Sequence, residues 1–133
     1  MKQVVVSAVL DSEGLSALIT EKPKDVPLFR RLQSMKTDLV VCANTIVEVS
    51  HARTNQAKLN WVLSTLKVEP VTEASAKAAA LLLKATGLHG HKYAIDATVA
   101  EVALRQPGPV ILLTSDADDM AKLCGDRVRI VAL

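Results

Sequence analysis

The sequence predicts a single-domain α/β/α sandwich, in which helices cover both faces of a central parallel sheet. The chain has 133 residues, of which 50% are hydrophobic, and this composition suffices for one core over residues 1–133. The strand-like runs at 4–10 and 110–113 are apolar without polar alternation, which is typical of parallel strands buried on both faces. Helical stretches separate the strands and indicate βα crossover units.

The first half of the chain is predicted to contain, in order, a strand at 4–10, helices at 12–19 and 28–35, a strand at 39–42, and helices at 44–52 and 56–66. Ser12 and Asn44 are expected to cap their helices, because their side-chain oxygens can accept hydrogen bonds from free N–H groups of the first turn. Pro23 and Pro27 separate the first two helices, since proline interrupts a helix interior. The last helix repeats leucine and valine at spacings that share one face.

The second half is predicted to contain a strand at 68–71, helices at 72–87 and 93–105, a strand at 110–113, a helix at 116–123 and a strand at 128–132. Gly87 accepts the left-handed conformation that ends many helices, and the prolines at 107 and 109 stop the helix that follows. In a parallel sheet, ligands gather at the carboxyl ends of the strands, beside the point where the strand order reverses. Asp11 and Asp116 each follow a strand and are predicted at that edge.

Four carboxylates stand among apolar neighbours, namely Asp11, Glu48, Asp96 and Asp116. A carboxylate beside a strand end or a core-facing helix is costly without a cation, and several together favour a shared one. Ligand sets made only of oxygen favour Mg²⁺ or Mn²⁺, whose usual role in a small protein is phosphate chemistry. We therefore predict a cation site, with raised carboxyl pKa values when the cation is absent.

Each carboxylate also has a purely structural interpretation. Asp11 or Asp96 can cap the helix that follows it. Glu48 can lie on an exposed helix face, and Asp116 can belong to a turn. One shared cation explains all of them together, and we prefer it for that reason.

Other polar residues near these acids have two interpretations. Thr114 and Ser115 can orient a ligand acid or a water through their hydroxyl groups, or they can be turn residues. His51, His89 and His91 are candidate general bases, but 89 and 91 flank a glycine in a predicted loop. We interpret His89 and His91 as a surface pair.

Several other chemistries lack the residues they need. Cys42 and Cys124 stand far apart without a CxxC motif, which disfavours a zinc site and fits a reduced cytosolic chain. A GxxxxGK[ST] phosphate loop and a Ser/His/Asp arrangement are both missing from the sequence. Aromatic residues make up 2% of the chain, which disfavours a stacking platform for nucleic acid. No window approaches the roughly 20 apolar residues that span a bilayer, so no membrane association is predicted.

The net charge of +2 is too small to indicate a nucleic-acid partner, but its distribution is uneven. Five cations crowd one early segment, namely Lys22, Lys24, Arg30, Arg31 and Lys36. They form either a basic rim for a polyanion or a solvated helix face.

With these residues in order, the chain resembles the PIN domain family, in particular the VapC-type toxin ribonucleases of VapBC toxin–antitoxin pairs. The resemblance covers nearly the whole chain. It rests on 9–18 (VLDSEGLSAL), Glu48, 96–103 (DATVAEVA) and 114–120 (TSDADDM), in this order.

The resemblance implies an endoribonuclease in which a metal-activated water attacks an RNA phosphodiester. It implies that Mg²⁺ or Mn²⁺ is bound by the acids Asp11, Glu48, Asp96 and Asp116, with assistance from Asp119. Asp118 and Asp119 can instead be helix N-terminal charges, which the helix dipole favours. We prefer Asp119 as the ligand because of its spacing from Asp116.

The resemblance also implies a cytoplasmic toxin, a homodimer and a small antitoxin that wraps the early helices and places a cation in the acidic pocket. The apolar residues that either form its groove or belong to the core are Leu15, Leu18, Ile19, Leu28, Phe29 and Leu32. The main alternative is a PIN-like binding module with little or no nuclease activity. Retention of all four acids favours the enzyme.

Overall fold

The structure, a computed structural model, describes residues 4–133. Its strands are β1 (Ser7–Leu10), β2 (Asp38–Cys42), β3 (Lys67–Glu69), β4 (Val110–Thr114) and β5 (Arg129–Ala132). Its helices are α1 (Ser12–Thr20), α2 (Val26–Ser34), α3 (Ala43–Val49), α4 (Gln56–Ser64), α5 (Glu73–Thr86), α6 (Gly90–Arg105) and α7 (Ala117–Cys124). No helix of this described part is long and apolar enough to cross a membrane.

The five strands form one parallel sheet in the order β3-β2-β1-β4-β5, which confirms the predicted fold class. All residues of β1 and β4 are buried, as their unbroken apolar sequences predict. The chain runs outward from β1 to β3 and then returns to β4 on the other side of β1. The strand order therefore reverses between β1 and β4, and a crevice is expected above their carboxyl ends.

Helices cover both faces of the sheet. On one face, Val9 and Leu112 pack in a cluster with Val99 of α6 and Met120 of α7. On the other face, inward residues of β1 and β4 pack in a cluster with Phe29 and Leu32 of α2 and with Ala17 of α1. Helix α3 follows β2 directly and contacts both α1 and α6, so it lies where the two helical layers meet.

Three predicted element boundaries are wrong by three residues, and the others differ from the structure by two or fewer. Strand β1 begins at Ser7 and not at residue 4, because both neighbouring strands begin their pairing opposite Ser7. Helix α3 ends at Val49 and not at 52. Helix α6 begins at Gly90, because the carbonyl of His89 accepts hydrogen bonds from the next turn, and non-helical dihedral angles at Tyr93 mark a kink where the helix was predicted to start.

Two of the predicted caps are also wrong. Asp11 caps α1 in place of Ser12, and its side chain accepts a hydrogen bond from Gly14 N–H. Asn44 lies inside α3. Its side-chain amide donates a hydrogen bond to the hydroxyl oxygen of Thr98 in α6 and does not cap the α3 backbone. The predicted left-handed conformation at Gly87 is confirmed, with a φ of 71°, and Thr72 is the N-cap of the same helix.

Candidate active site

The crevice between β1 and β4 opens into a cavity of about 470 Å³. It is lined by four carboxylates together with a short basic and aromatic segment: Glu48, His91, Lys92, Tyr93, Ala94, Ile95, Asp96, Asp116 and Asp119. These residues come from α3, from the first half of α6 and from the start of α7. Four of the five predicted metal ligands therefore line one cavity.

Asp11, the fifth predicted ligand, is buried beneath this cavity with 4% of its surface exposed. One carboxylate oxygen accepts the N–H of Gly14 at 3.1 Å, and the other accepts the N–H of Ser115 at 3.1 Å. The Asp11 N–H in turn donates to Leu113 O at 3.1 Å. Asp11 is therefore an N-cap and also fastens the end of β1 to the end of β4.

Gly14 allows α1 to start this close to the sheet. A Cβ atom at this position would lie 3.1 Å from the Cβ of Leu10 and 3.5 Å from the carbonyl oxygen of Leu113. The first of these distances is tighter than ordinary packing, so a larger residue would push the start of α1 away from the strand ends.

Asp96 is half-buried in α6, and its pKa is raised from 3.8 to about 6. Burial is the largest cause, because a carboxylate away from water is disfavoured in its charged form. The negative charges of Asp116, Glu48, Asp11 and Asp119 follow in that order. The predicted rise in a carboxyl pKa is confirmed at Asp96, and all the other predicted ligands contribute to it.

The pKa of Asp96 has a consequence for stability in chelator. The folded state holds the Asp96 proton to about pH 6 and the unfolded chain releases it near 3.8, so the folded state binds more protons between these values. The free energy of unfolding should therefore fall as the pH rises through this window. At neutral pH the loss is about 1–2 kcal/mol, after discounting for the half-exposed position.

We expect Asp96→Asn to remove this loss. In urea unfolding from pH 4 to 7.5 in EDTA, the free energy of unfolding of the variant should increase relative to that of the wild type as the pH rises. Carboxyl ¹³C NMR would report the pKa of Asp96 in the wild type directly. Asp38→Asn, at an exposed position at the start of β2, is the matched control. A constant difference between wild type and Asp96→Asn across this range would contradict the raised pKa.

The carboxylates that line the cavity have no cationic or hydrogen-bonding partner. Glu48, Asp96, Asp116 and Asp119 make no side-chain hydrogen bond or ion pair with any residue of the range 4–133. In the same range, no three His, Cys, Asp or Glu side chains are close enough together to hold one metal ion as they stand. The four acids line the same cavity, and their oxygen-only donor set fits Mg²⁺ or Mn²⁺.

Thr114 and Ser115 act through different atoms. Thr114 is fully buried, and its hydroxyl oxygen accepts the N–H of Asp116 at 2.9 Å. Ser115 is exposed and contributes its backbone N–H to Asp11. The Thr114 hydroxyl thus orients the backbone of a candidate ligand.

A hydrogen bond also joins the two helices that carry Glu48 and Asp96. The Asn44 side-chain amide of α3 donates to the Thr98 hydroxyl oxygen of α6 at 3.3 Å, and this hydroxyl donates to Ile95 O at 2.7 Å. Asn44 lies one helical turn before Glu48, so the contact fixes the approach of α3 to α6 beside the cavity.

His91, Lys92 and Tyr93 are the lining residues that the sequence prediction missed. The Lys92 ammonium lies 5.2 Å from the centroid of the Tyr93 ring. The signal was their position three to five residues before Asp96, which places them at the cavity once α6 is known to begin at Gly90. Of the five early cations in the described chain, none lines this cavity.

Comparisons with known proteins agree with this architecture. The family model of the PIN domain matches residues 8–125. The crystal structure of VapBC2 from Rickettsia felis bound to a DNA fragment from their promoter is similar, with a TM-score of 0.70 and 16% identity over 96% of this chain and 99% of that one. PAE2754 from Pyrobaculum aerophilum is similar with a TM-score of 0.61 and 21% identity over 95% of this chain and 90% of that one. At these identities the likeness concerns the fold. No curated protein matches the chain at a significant level.

Proposed function

This chain belongs to the PIN domain family, and on that premise we propose that it is a Mg²⁺- or Mn²⁺-dependent endoribonuclease and the toxin of a toxin–antitoxin pair. PIN domains are generally nucleases, which makes hydrolysis of a phosphodiester the expected reaction. The observation that carries the proposal is the cavity above β1 and β4, which is lined by four carboxylates whose side chains have no partner within residues 4–133. Carboxylates this close together repel one another when no cation is bound, and a divalent cation stabilises them.

The residues that would hold the cation are Glu48, Asp96, Asp116 and Asp119, with Asp11 beneath them. A bound Mg²⁺ or Mn²⁺ supplies the Lewis acidity that hydrolysis of a phosphodiester requires at neutral pH.

The other residues of the site position and bind. Asp11 holds the ends of β1 and β4 together, because its carboxylate accepts the N–H of Ser115 and its own N–H donates to Leu113 O, so Asp116 stays at a fixed place over the crevice. Lys92 and Tyr93 line the same cavity, and they offer an ammonium group for a phosphate and a ring face for a base.

The alternative function is a PIN-like binding module with little or no nuclease activity. A module of that kind has no need for several carboxylates around one cavity, because clustered negative charge repels a nucleic acid. After burial, the causes that raise the pKa of Asp96 are the negative charges of four neighbouring acids, which supports a cluster of mutually repelling carboxylates. We favour the enzyme for this reason.

The partner we propose is a small antitoxin whose apolar segment lies in a groove of about 480 Å³ between α1, α2 and α4. Leu18, Phe29 and Val62 line this groove, and Trp61 beside them is 66% exposed, which is unusual for a side chain of this size. Of the groove residues predicted from sequence, Leu15 and Leu32 are fully buried and belong to the core. The homodimer that the resemblance implies stays a prediction.

The proposed function predicts that the chain cleaves single-stranded or structured RNA in Mg²⁺ or Mn²⁺ and not in EDTA. The cation offsets the repulsion between the site's carboxylates and the phosphodiester. Its removal therefore prevents both the binding of the phosphodiester at the acids and its hydrolysis. Gel analysis of end-labelled RNAs would measure this. Equal cleavage in EDTA contradicts the enzyme proposed here, and complete inactivity of well-folded protein on varied RNAs favours the binding module.

A further inference from the structure

A second polar cavity, of about 410 Å³, lies on the other side of α3 from the acids. Its walls come from α1, from the end of α3 and from the loop that leads into α4. Val49 lines this cavity, and the residue before it, Glu48, lines the acidic one. The two cavities are therefore neighbours along a single helix.

The charge of this second cavity is opposite to that of the first. His51, Arg53 and Lys58 line it together with hydroxyl and amide side chains, and within the described residues no carboxylate does. The Arg53 guanidinium has no hydrogen-bond or ion-pair partner in residues 4–133. Lys58 lies 3.6 Å from Glu21, but this glutamate side chain is 74% exposed, and such surface pairs are weak. The cavity therefore has unneutralised positive charge.

The loop that carries these residues is fixed by its own hydrogen bonds. The Thr54 hydroxyl oxygen accepts the N–H of His51 at 2.8 Å, and the Thr54 N–H donates to His51 O at 3.0 Å. The Nδ1 atom of His51 accepts the N–H of Arg53 at 3.1 Å, so a neutral His51 ring carries its proton on Nε2. Within residues 4–133 that Nε2–H has no acceptor, so it can donate to a bound anion.

The start of α4 adds to the positive charge at this cavity. Asn55 caps the helix by accepting the N–H of Lys58 at 3.0 Å, and both residues line the cavity. The N-terminus of a helix has a partial positive charge that favours a bound anion. Side-chain cations, a histidine donor and a helix N-terminus therefore meet at one cavity.

We propose that this cavity binds a backbone phosphate of the RNA strand, next to the phosphodiester that enters the acidic site. The inference rests on the proposed function, because the phosphate belongs to the same RNA strand whose phosphodiester is cleaved at the acids. An extended strand with one phosphodiester among the carboxylates would place a nearby phosphate of the same strand beyond α3, where the Arg53 charge neutralises it and the His51 Nε2–H donates to it. Phosphate contacts of this kind fix the register of the strand and are indifferent to its sequence.

The test is the affinity of the intact protein for a short fluorescein-labelled single-stranded RNA in EDTA, measured by anisotropy over a range of salt. We expect Arg53→Gln to bind roughly tenfold more weakly at low salt, and the slope of log K against log salt to decrease by about 0.7 for the lost phosphate contact. Arg53→Lys should recover most of the affinity. In Mg²⁺, the KM of Arg53→Gln should rise while kcat stays unchanged, since the residue lies away from the acids.

Arg127→Gln is the matched control, because Arg127 is exposed and precedes β5 at the opposite edge of the sheet. Arg53→Gln that binds RNA like the wild type with an unchanged salt slope overturns the phosphate site, and cleavage by the wild type then leaves the proposed function intact. RNA binding that depends on Arg53, without any metal-dependent cleavage, supports the phosphate site and contradicts the nuclease. If Arg53→Gln weakens binding of a poly-glutamate peptide and leaves RNA binding unchanged, the cavity is a site for an acidic protein segment and our assignment is wrong.

Discussion

Asp116→Asn is expected to lower the rate of RNA cleavage at least about a hundredfold and to leave the free energy of unfolding nearly unchanged. Asp116 is exposed at the N-terminus of α7, and its side chain makes no capping hydrogen bond with the described chain. Asparagine has nearly the same shape and serves equally well at this helix position. The substitution therefore removes one negative ligand from the acidic cavity and little else.

The measurement pairs cleavage assays in Mg²⁺ with thermal unfolding, and Asp118→Asn is the control. Asp118 is an exposed acid of the same helical turn that does not line the cavity, so its substitution should preserve cleavage. Equal losses in the two variants would mean that the effect comes from the charge of α7 and not from a ligand. Wild-type cleavage by Asp116→Asn would remove this residue from the site.

The same substitution should move the titration of Asp96. Asp116 contributes the largest charge effect on the Asp96 pKa, after the effect of burial. Removing that charge should lower the pKa of Asp96 toward its usual value, and NMR titration in EDTA would detect the change. This links the two residues electrostatically without reference to activity.

The sequence was sufficient to predict the sheet, because unbroken apolar runs such as 110–113 are typical of parallel strands that helices cover on both faces. It was also sufficient to bring Asp11 and Asp116 to one edge, since the carboxyl ends of parallel strands share it. The sequence did not predict which helices contact each other across that edge. The contact of Asn44 with Thr98 joins residues 54 positions apart, and local pattern favoured a cap at Asn44 instead.

The site was predicted less completely than the fold, for a similar reason. Sequence offered two roles for Asp11, helix cap or ligand, and treated them as alternatives. The structure gives one oxygen of Asp11 to the cap and the other to Ser115, which is 104 residues away and not visible in any local pattern. His91 was interpreted as a surface residue because Gly90 indicated a loop; the structure begins α6 at Gly90 and places the exposed His91 at the edge of the cavity.

Removal of the Asp11 side chain is the second large effect, and it should act on stability as well as on activity. Asp11→Ala leaves the N–H groups of Gly14 and Ser115 without their acceptor, the first at a buried and the second at a partly buried position. Loss of the N-cap costs about 1 kcal/mol, and the second unpaired N–H brings the expected loss to about 2–4 kcal/mol. The charge that Asp11 exerts on Asp96 also disappears, which offsets a small part of this loss.

Asp11→Asn separates the two hydrogen bonds of Asp11. Its single carbonyl oxygen can still cap α1 at Gly14, but its NH₂ group then faces the Ser115 N–H, two donors without an acceptor. The variant should therefore be destabilised by about 1–2 kcal/mol, which is less than Asp11→Ala and more than Asp116→Asn. Urea unfolding in EDTA would rank the three variants, with Asp38→Ala as an exposed control that is expected to stay close to the wild type. If Asp11→Asn matches the wild type in stability, the tie between β1 and β4 contributes nothing to the fold. Asp11 would then act only as the cap of α1 and through its charge at the acidic cavity.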